Sequence, residues 1–274
     1  MTVTAQALSP WCRRWLASLA DRTTAPPDRR DRLVAALSSR GRPFTEAIDH
    51  VDRVLYGIPF DQVRFGIEEA LAAQDGMPPD DWPVSEEGRP LIPVSHPRTD
   101  PQTWCDDAGA MYTVLYDLGS TEPTYDSAEH LLECQAFQRV YLPERKDRYG
   151  FETQASIGVA AAAALHLPPV PEVDGKRCHA WADDRAVVIQ ANIEQYLYGT
   201  YVGLRDGAAV SELLAALPEA ARKQLRIING SQPGPHDREG VAEASYDIGD
   251  GRMQTHRNGD VVTVVYEPPT FGAR

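Results

Sequence analysis

Residues 106–133 read DDAGAMYTVLYDLGSTEPTYDSAEHLLE. Within this stretch, Met111 to Leu118 sets β-favouring Tyr112, Thr113, Val114 and Tyr116 between Gly109 and Gly119, which predicts a strand bounded by turns. Asp126 followed three residues later by Glu129 has the form of a capping box. It predicts a helix that carries Leu131, Leu132, Gln135 and Ala136 and ends near Val140.

Upstream the pattern is helical. Ser9-Pro10 reads as an N-cap with proline at the first helical position, before Trp11, Trp15, Leu16 and Leu19 at helical spacing. Asp28 caps a second predicted helix with Leu33, Val34 and Leu37, closed by Gly41, and Thr45 caps a third with Ile48, Val51, Val54 and Leu55, ending at Gly57. Pro59 to Gln74 reads as a short strand into a helix, and Met77 to Pro101 as a loop around a short strand at Leu91 to Val94.

Downstream, a helix is predicted from Thr153 to His166, stopped by Pro168-Pro169 and packed on more than one side because it lacks bulky polar residues. Strands follow at Arg185 to Gln190 and Tyr196 to Val202, then helices at Ala208 to Leu217 and Pro218 to Ile227. The chain closes with strands near Tyr246, at Arg252 to His256 and at Val261 to Tyr266, where Asn258-Gly259 is the strongest hairpin signal. Helices first, then strands with helices interspersed irregularly, predict an α+β fold in which N-terminal helices pack with a mixed or antiparallel sheet and a C-terminal β-hairpin follows. The expected division is a helical extension at 1–43, a core domain at 44–231 and a hairpin unit at 232–274 packed on the core.

The formal net charge of −13 is uneven. Residues 1–44 hold eight Arg against three Asp, whereas residues 75–133 hold thirteen carboxylates and only Arg89 and Arg98, a formal −11. So local an excess costs self-repulsion, which a basic partner would relieve. Aromatic residues interleaved with those acids are the mixture that protein interfaces use. The candidate partner-binding residues are Asp80, Asp81, Glu86, Glu87, Trp104, Asp106, Asp107, Glu122 and Asp126; the competing reading is a set of solvated acidic loops. Nucleic acid is not expected as a partner, since phosphate binding wants a basic surface.

Catalytic and metal signatures are missing. No G-x-S-x-G elbow, C-x-x-C pair, H-E-x-x-H run or Gly-rich phosphate loop occurs. Cys178 and His179 are neighbours that a strand would turn to opposite faces. His130 and Cys134 stand four apart on one predicted helix but make only half a zinc site, and Asp106-Asp107 and Asp183-Asp184 read as turn acids. Neither metal nor cofactor is expected. The four cysteines are far apart and no signal peptide or apolar run of membrane length is read, which predicts reduced thiols in a cytoplasmic protein with no membrane partner.

The run Asp106-Asp107-Ala108-Gly109-Ala110-Met111-Tyr112, the strand after it, and Asp126-Ser127-Ala128-Glu129-His130-Leu131-Leu132-Glu133 resemble an arrangement in the SUKH superfamily (Smi/Knr-like) of bacterial immunity proteins. The helix from Thr45 to Tyr56 closing at Gly57 is similar to that family's N-terminal helix. The likeness covers roughly 44–137 and, loosely, 165–217; the chain departs from it in lacking a Leu-Pro-x-x-Tyr continuation after Tyr56-Gly57. A second likeness, Asp81-Trp82-Pro83 through Gly88-Arg89-Pro90-Leu91, is to YwqG-like proteins. The first resemblance implies a SUKH-like fold without catalytic residues that neutralises a cognate toxin by occluding its basic active-site cleft, the toxin being one that acts on nucleic acid. The alternatives from the residues alone are a hydrolase or transferase with a dispersed carboxylate or Cys178 site, and a structural interaction protein.

Overall fold

A computed structural model describes residues 8–19, 23–60, 63–74, 78–97, 102–114, 123–141, 148–153, 155–175, 178–191, 199–230 and 241–267. It is an α+β fold. Its compact units are Met1–Val140 and Tyr141–Arg274, a division that falls inside the stretch 44–231 that the sequence reads as one domain.

The first unit begins with α1 (Pro10–Ser18), where the Ser9 hydroxyl accepts from the Cys12 amide at 3.1 Å. Cys12 and Trp15 are buried, and Trp11 meets Phe137 edge-on at 6.1 Å. Helix α2 (Arg29–Ser38) buries Leu33 and Leu37, but Asp28 makes no capping hydrogen bond. In α3 (Glu46–Leu55) the Thr45 hydroxyl accepts from Ile48 N at 3.1 Å, and Ile48, Val51 and Leu55 face the core. Gly57, at φ +71°, supplies the left-handed residue that ends it. Two short paired strands, β1 (Pro59–Phe60) and β2 (Val63–Arg64), lead into α4 (Ile67–Ala73).

Arg29 locks these three helices together. Its guanidinium is bidentate on Asp52 of α3, both contacts at 2.9 Å, reaches Glu68 and Glu69 of α4 at 2.9 and 2.7 Å, and lies 4.2 Å from the Tyr56 ring. Arg29 and Asp52 are both buried. An ion pair taken out of water repays its desolvation only through such multidentate geometry.

Strands β3 (Ile92–Pro93), β4 (Gln102–Cys105) and β5 (Met111–Val114) form an antiparallel sheet in that order, with Ile92 opposite Cys105 and Trp104 opposite Tyr112. Residues 115–118 of the expected strand lie outside the described residues. Helix α5 (Ala128–Ala136) starts one residue later than the capping-box reading had it. Ser127, not Asp126, is the N-cap, its hydroxyl accepting from His130 N at 3.1 Å, while Glu129 pairs with His50 at 2.6 Å. All nine residues of α5 are buried, and a π-helical turn, Phe137–Tyr141, extends it. Ser9 donates through its amide and hydroxyl to Glu133 at 2.6 and 2.5 Å, which clasps α1 onto α5.

The second unit contains β6 (Tyr149–Thr153), α6 (Gly158–Ala164), β7 (Cys178–Ala182), β8 (Ala186–Ala191), β9 (Thr200–Leu204), α7 (Gly207–Ala216), α8 (Glu219–Arg222) and β10 (Arg226–Gly230). The five strands form one antiparallel sheet, β10-β6-β9-β8-β7. Thr153 ends β6 rather than opening a helix, and α6 buries only one face: Val159 is 64% exposed. Its apolar composition therefore reflects small alanines over a sheet, not enclosure. The expected helix from Pro218 to Ile227 is one short helical segment and then β10, as β-branched Ile227 pairs with Phe151 of β6 and a bulge follows before Asn229.

The C-terminal segment is a three-stranded meander, β11 (Val241–Ile248), β12 (Gly251–Asn258) and β13 (Val261–Glu267), one strand more than a hairpin. Asn258 is the last residue of β12, and Gly259, at φ +63°, takes the first central position of the turn. Tyr149, Phe151, Val188, Val202, Leu213, Leu214, Met253 and Val264 belong to the core of this unit.

Candidate functional site

The acidic stretch is divided between surface and interior. Asp80 and Asp81 lie exposed on a 3-10 turn (Pro79–Asp81), Glu86 and Glu87 are exposed in the tight turn that joins Val84 to Pro90, and Asp107 is exposed just after β4. Asp126 is exposed beside the start of α5. Glu122 lies outside the described residues, as do Asp75, Asp100 and Asp117 of the same stretch.

Two candidates do not belong to that surface. Trp104 is 2% exposed and packs edge-on against Trp82 at 6.0 Å, so its ring is core. Asp106 is 5% exposed and organises the turn after β4: Oδ1 accepts from Ala108 N at 3.0 Å and Ala110 N at 2.9 Å, and Oδ2 accepts from the Tyr112 hydroxyl at 3.1 Å. Burial, followed by the neighbouring Asp106, pushes the Tyr112 hydroxyl pKa upward and keeps it a donor. Glu129 and Glu133 are likewise buried and serve helix packing.

The exposed carboxylates surround this framework. Arg89 reaches Glu87 at 2.8 Å and Asp107 at 3.3 Å, joining the 84–90 turn to the turn after β4. Glu87 and Asp107 together hold the guanidinium firmly charged. On the Asp80-Asp81 side, Arg42 lies 5.0 Å above the Trp82 ring and donates to the Pro79 carbonyl. Asp80, Asp81 and Glu86 form none of the ion pairs found among the described residues. The arrangement is a carboxylate-rich rim over a buried tryptophan pair, with two arginines partly balancing it.

Among the described residues, the side chains that could carry other chemistry stand apart. Cys178 is buried while His179, on the opposite face of β7, pairs with Asp174 at 2.6 Å. Asp183 is occupied in a turn, accepting from Arg185 N at 2.7 Å and Ala186 N at 2.9 Å. The His130 Nδ1 accepts from Asp126 N at 3.2 Å instead of facing a metal with Cys134. Among the described residues no three His, Cys, Asp or Glu side chains are grouped to hold a metal ion, and no helix is long and apolar enough to cross a membrane. The pairs His50–Glu129 and His179–Asp174 escaped the sequence reading; the first joins residues 79 apart, and no spacing rule announces it. No family model matches the chain, and no curated protein or solved structure matches it either.

Proposed function

We propose that the protein is a cytoplasmic immunity protein that binds a cognate toxin and occludes its basic, nucleic-acid-handling cleft. The observation that carries this reading is the rim of exposed Asp80, Asp81, Glu86, Glu87 and Asp107 over the Trp82–Trp104 framework. The resemblance of residues 106–133 to the SUKH superfamily supports it. An enzyme that acts on nucleic acid presents cationic side chains where phosphate binds, and carboxylates on a rigid base can take the place of phosphate oxygens there. Long-range attraction would also speed association and make it salt-dependent. The mechanism is occlusion, with no catalytic residue in the chain.

The test is capture of the toxin on the immobilised protein, followed by association kinetics across a salt series. Charge reversal of Asp80, Asp81 and Asp107 together should slow association by about tenfold at low salt and have little effect near 0.5 M, within the range expected of electrostatic steering. Wild-type kinetics for that triple variant at low salt would remove the rim from the interface.

A further inference from the structure

A row of polar side chains crosses the second unit's sheet. His179 on β7, Gln190 on β8, Thr200 on β9 and Thr153 on β6 stand in register. Three of them hold the segment entering α6. Thr153 Oγ1 accepts from Ala155 N at 3.1 Å, Thr200 Oγ1 accepts from Ile157 N at 3.1 Å and donates to the Ala155 carbonyl at 2.8 Å, and Gln190 Oε1 accepts from Gly158 N at 2.8 Å.

His179 has a different role. Asp174 Oδ1 lies 2.6 Å from its Nδ1, which turns Nε2 away from the carboxylate, and the side chain is 30% exposed. Two residues on, Trp181 projects from the same face, its ring 6.0 Å from the imidazole and tilted 34° to it. Trp181 is partly buried and packs against the core. His179 Nε2, Trp181 Nε1 and Gln190 Nε2 have no hydrogen-bond partner among the described residues. An oriented imidazole and a supported indole thus present one acceptor and one N–H donor beside two rings inclined at 34°, while the Gln190 amide is buried.

We propose that this strip binds a neutral sugar ring. The C–H face of a pyranose packs on indole and imidazole, while its hydroxyls both donate and accept, matching Nε2 of His179 and the N–H group of Trp181. The charge found at the strip disfavours an anion: among the described residues Asp174 is the charged side chain in contact with it, and phosphate or carboxylate would meet that carboxylate. A cation finds Asp174 already engaged by His179. The site is independent of the acidic rim, so either proposal can fail alone.

The test is NMR titration of the 15N-labelled full chain with the methyl glycosides of glucose, galactose and N-acetylglucosamine, with a soluble oligosaccharide of each, and with adenine. The Trp181 indole resonance is assigned from Trp181→Phe. At least one sugar should shift that resonance with millimolar affinity, roughly the range open to so small a ligand. A longer oligosaccharide that binds tighter identifies a polymer as the source, and equal affinity identifies the free sugar. His179→Ala, which leaves the core untouched, should weaken binding at least tenfold, and Asp174→Asn by a smaller factor. Silence with every sugar, a response to adenine alone, or unchanged affinity in His179→Ala with an intact circular dichroism spectrum would overturn the proposal.

Discussion

His166 is the one non-glycine residue with positive φ among those described, at +54°. It follows α6 as the left-handed residue of a Schellman ending, in which Leu167 N donates to Ala162 O at 2.9 Å and His166 N to Ala163 O at 3.2 Å. Its side chain is exposed, so His166→Gly should stabilise the protein by about 1 kcal/mol, read as a higher urea midpoint. Asp106→Ala has the opposite sign: it strands two amides and the Tyr112 hydroxyl, at a cost of about 3 kcal/mol. Asp183 gives a pH test. Burial raises its pKa, but the amides of Arg185 and Ala186 and the Arg185 charge outweigh that and leave it lowered. Its stabilisation is therefore complete above the unfolded value of ~3.9 and fades as pH falls through the lower folded value. Asp183→Asn should flatten the acid limb of a stability–pH curve. The four thiols are all buried, and Cys12 is pushed up to about 12 by burial and by Glu133. A thiol reagent at pH 8 should label none of them until urea unfolds the chain.

Among the elements, those with a strong local signature were the legible ones. The caps at Ser9 and Thr45, the periodicity of α3 and the strand at Met111 were all readable because each signal lies within a few residues. The misreadings arose where tertiary packing decides. Asp126–Glu129 satisfies the capping-box spacing, yet Glu129 is claimed by His50 of α3, which leaves Ser127 to cap. The stretch after Pro218 has helical composition, but β6 offers Arg226 and Ile227 partners in Glu152 and Phe151. Trp104 and Asp106 sit in a charged stretch that reads as partner-binding surface; their burial follows from Trp82 and Tyr112, which no spacing rule connects to them. Arg29 is the same lesson in charge, since it looks like one more arginine of a basic N-terminus. Arg29→Ala should lower stability by roughly 3–5 kcal/mol by leaving Asp52 buried and unpaired, whereas Arg29→Met with Asp52→Leu should recover part of it in the same urea titration.

For the whole molecule, a count of carboxylates overstates the charge available to a partner. Asp106, Glu129 and Glu133 are spent inside the first unit, and Arg89 balances part of what remains. Among the described residues, the exposed acids of the stretch are the shorter set Asp80, Asp81, Glu86, Glu87, Asp107 and Asp126. The clasp between Ser9 and Glu133 bears on how the chain is made. The two residues are 124 positions apart, so at ordinary synthesis rates α1 emerges roughly 6 to 25 seconds before its acceptor exists. During that interval Trp11, Cys12 and Trp15 have no α5 to cover them. The ribosome-bound chain would then be a natural client for a chaperone that shields apolar segments, and the first unit can close only after Glu133 has left the exit tunnel.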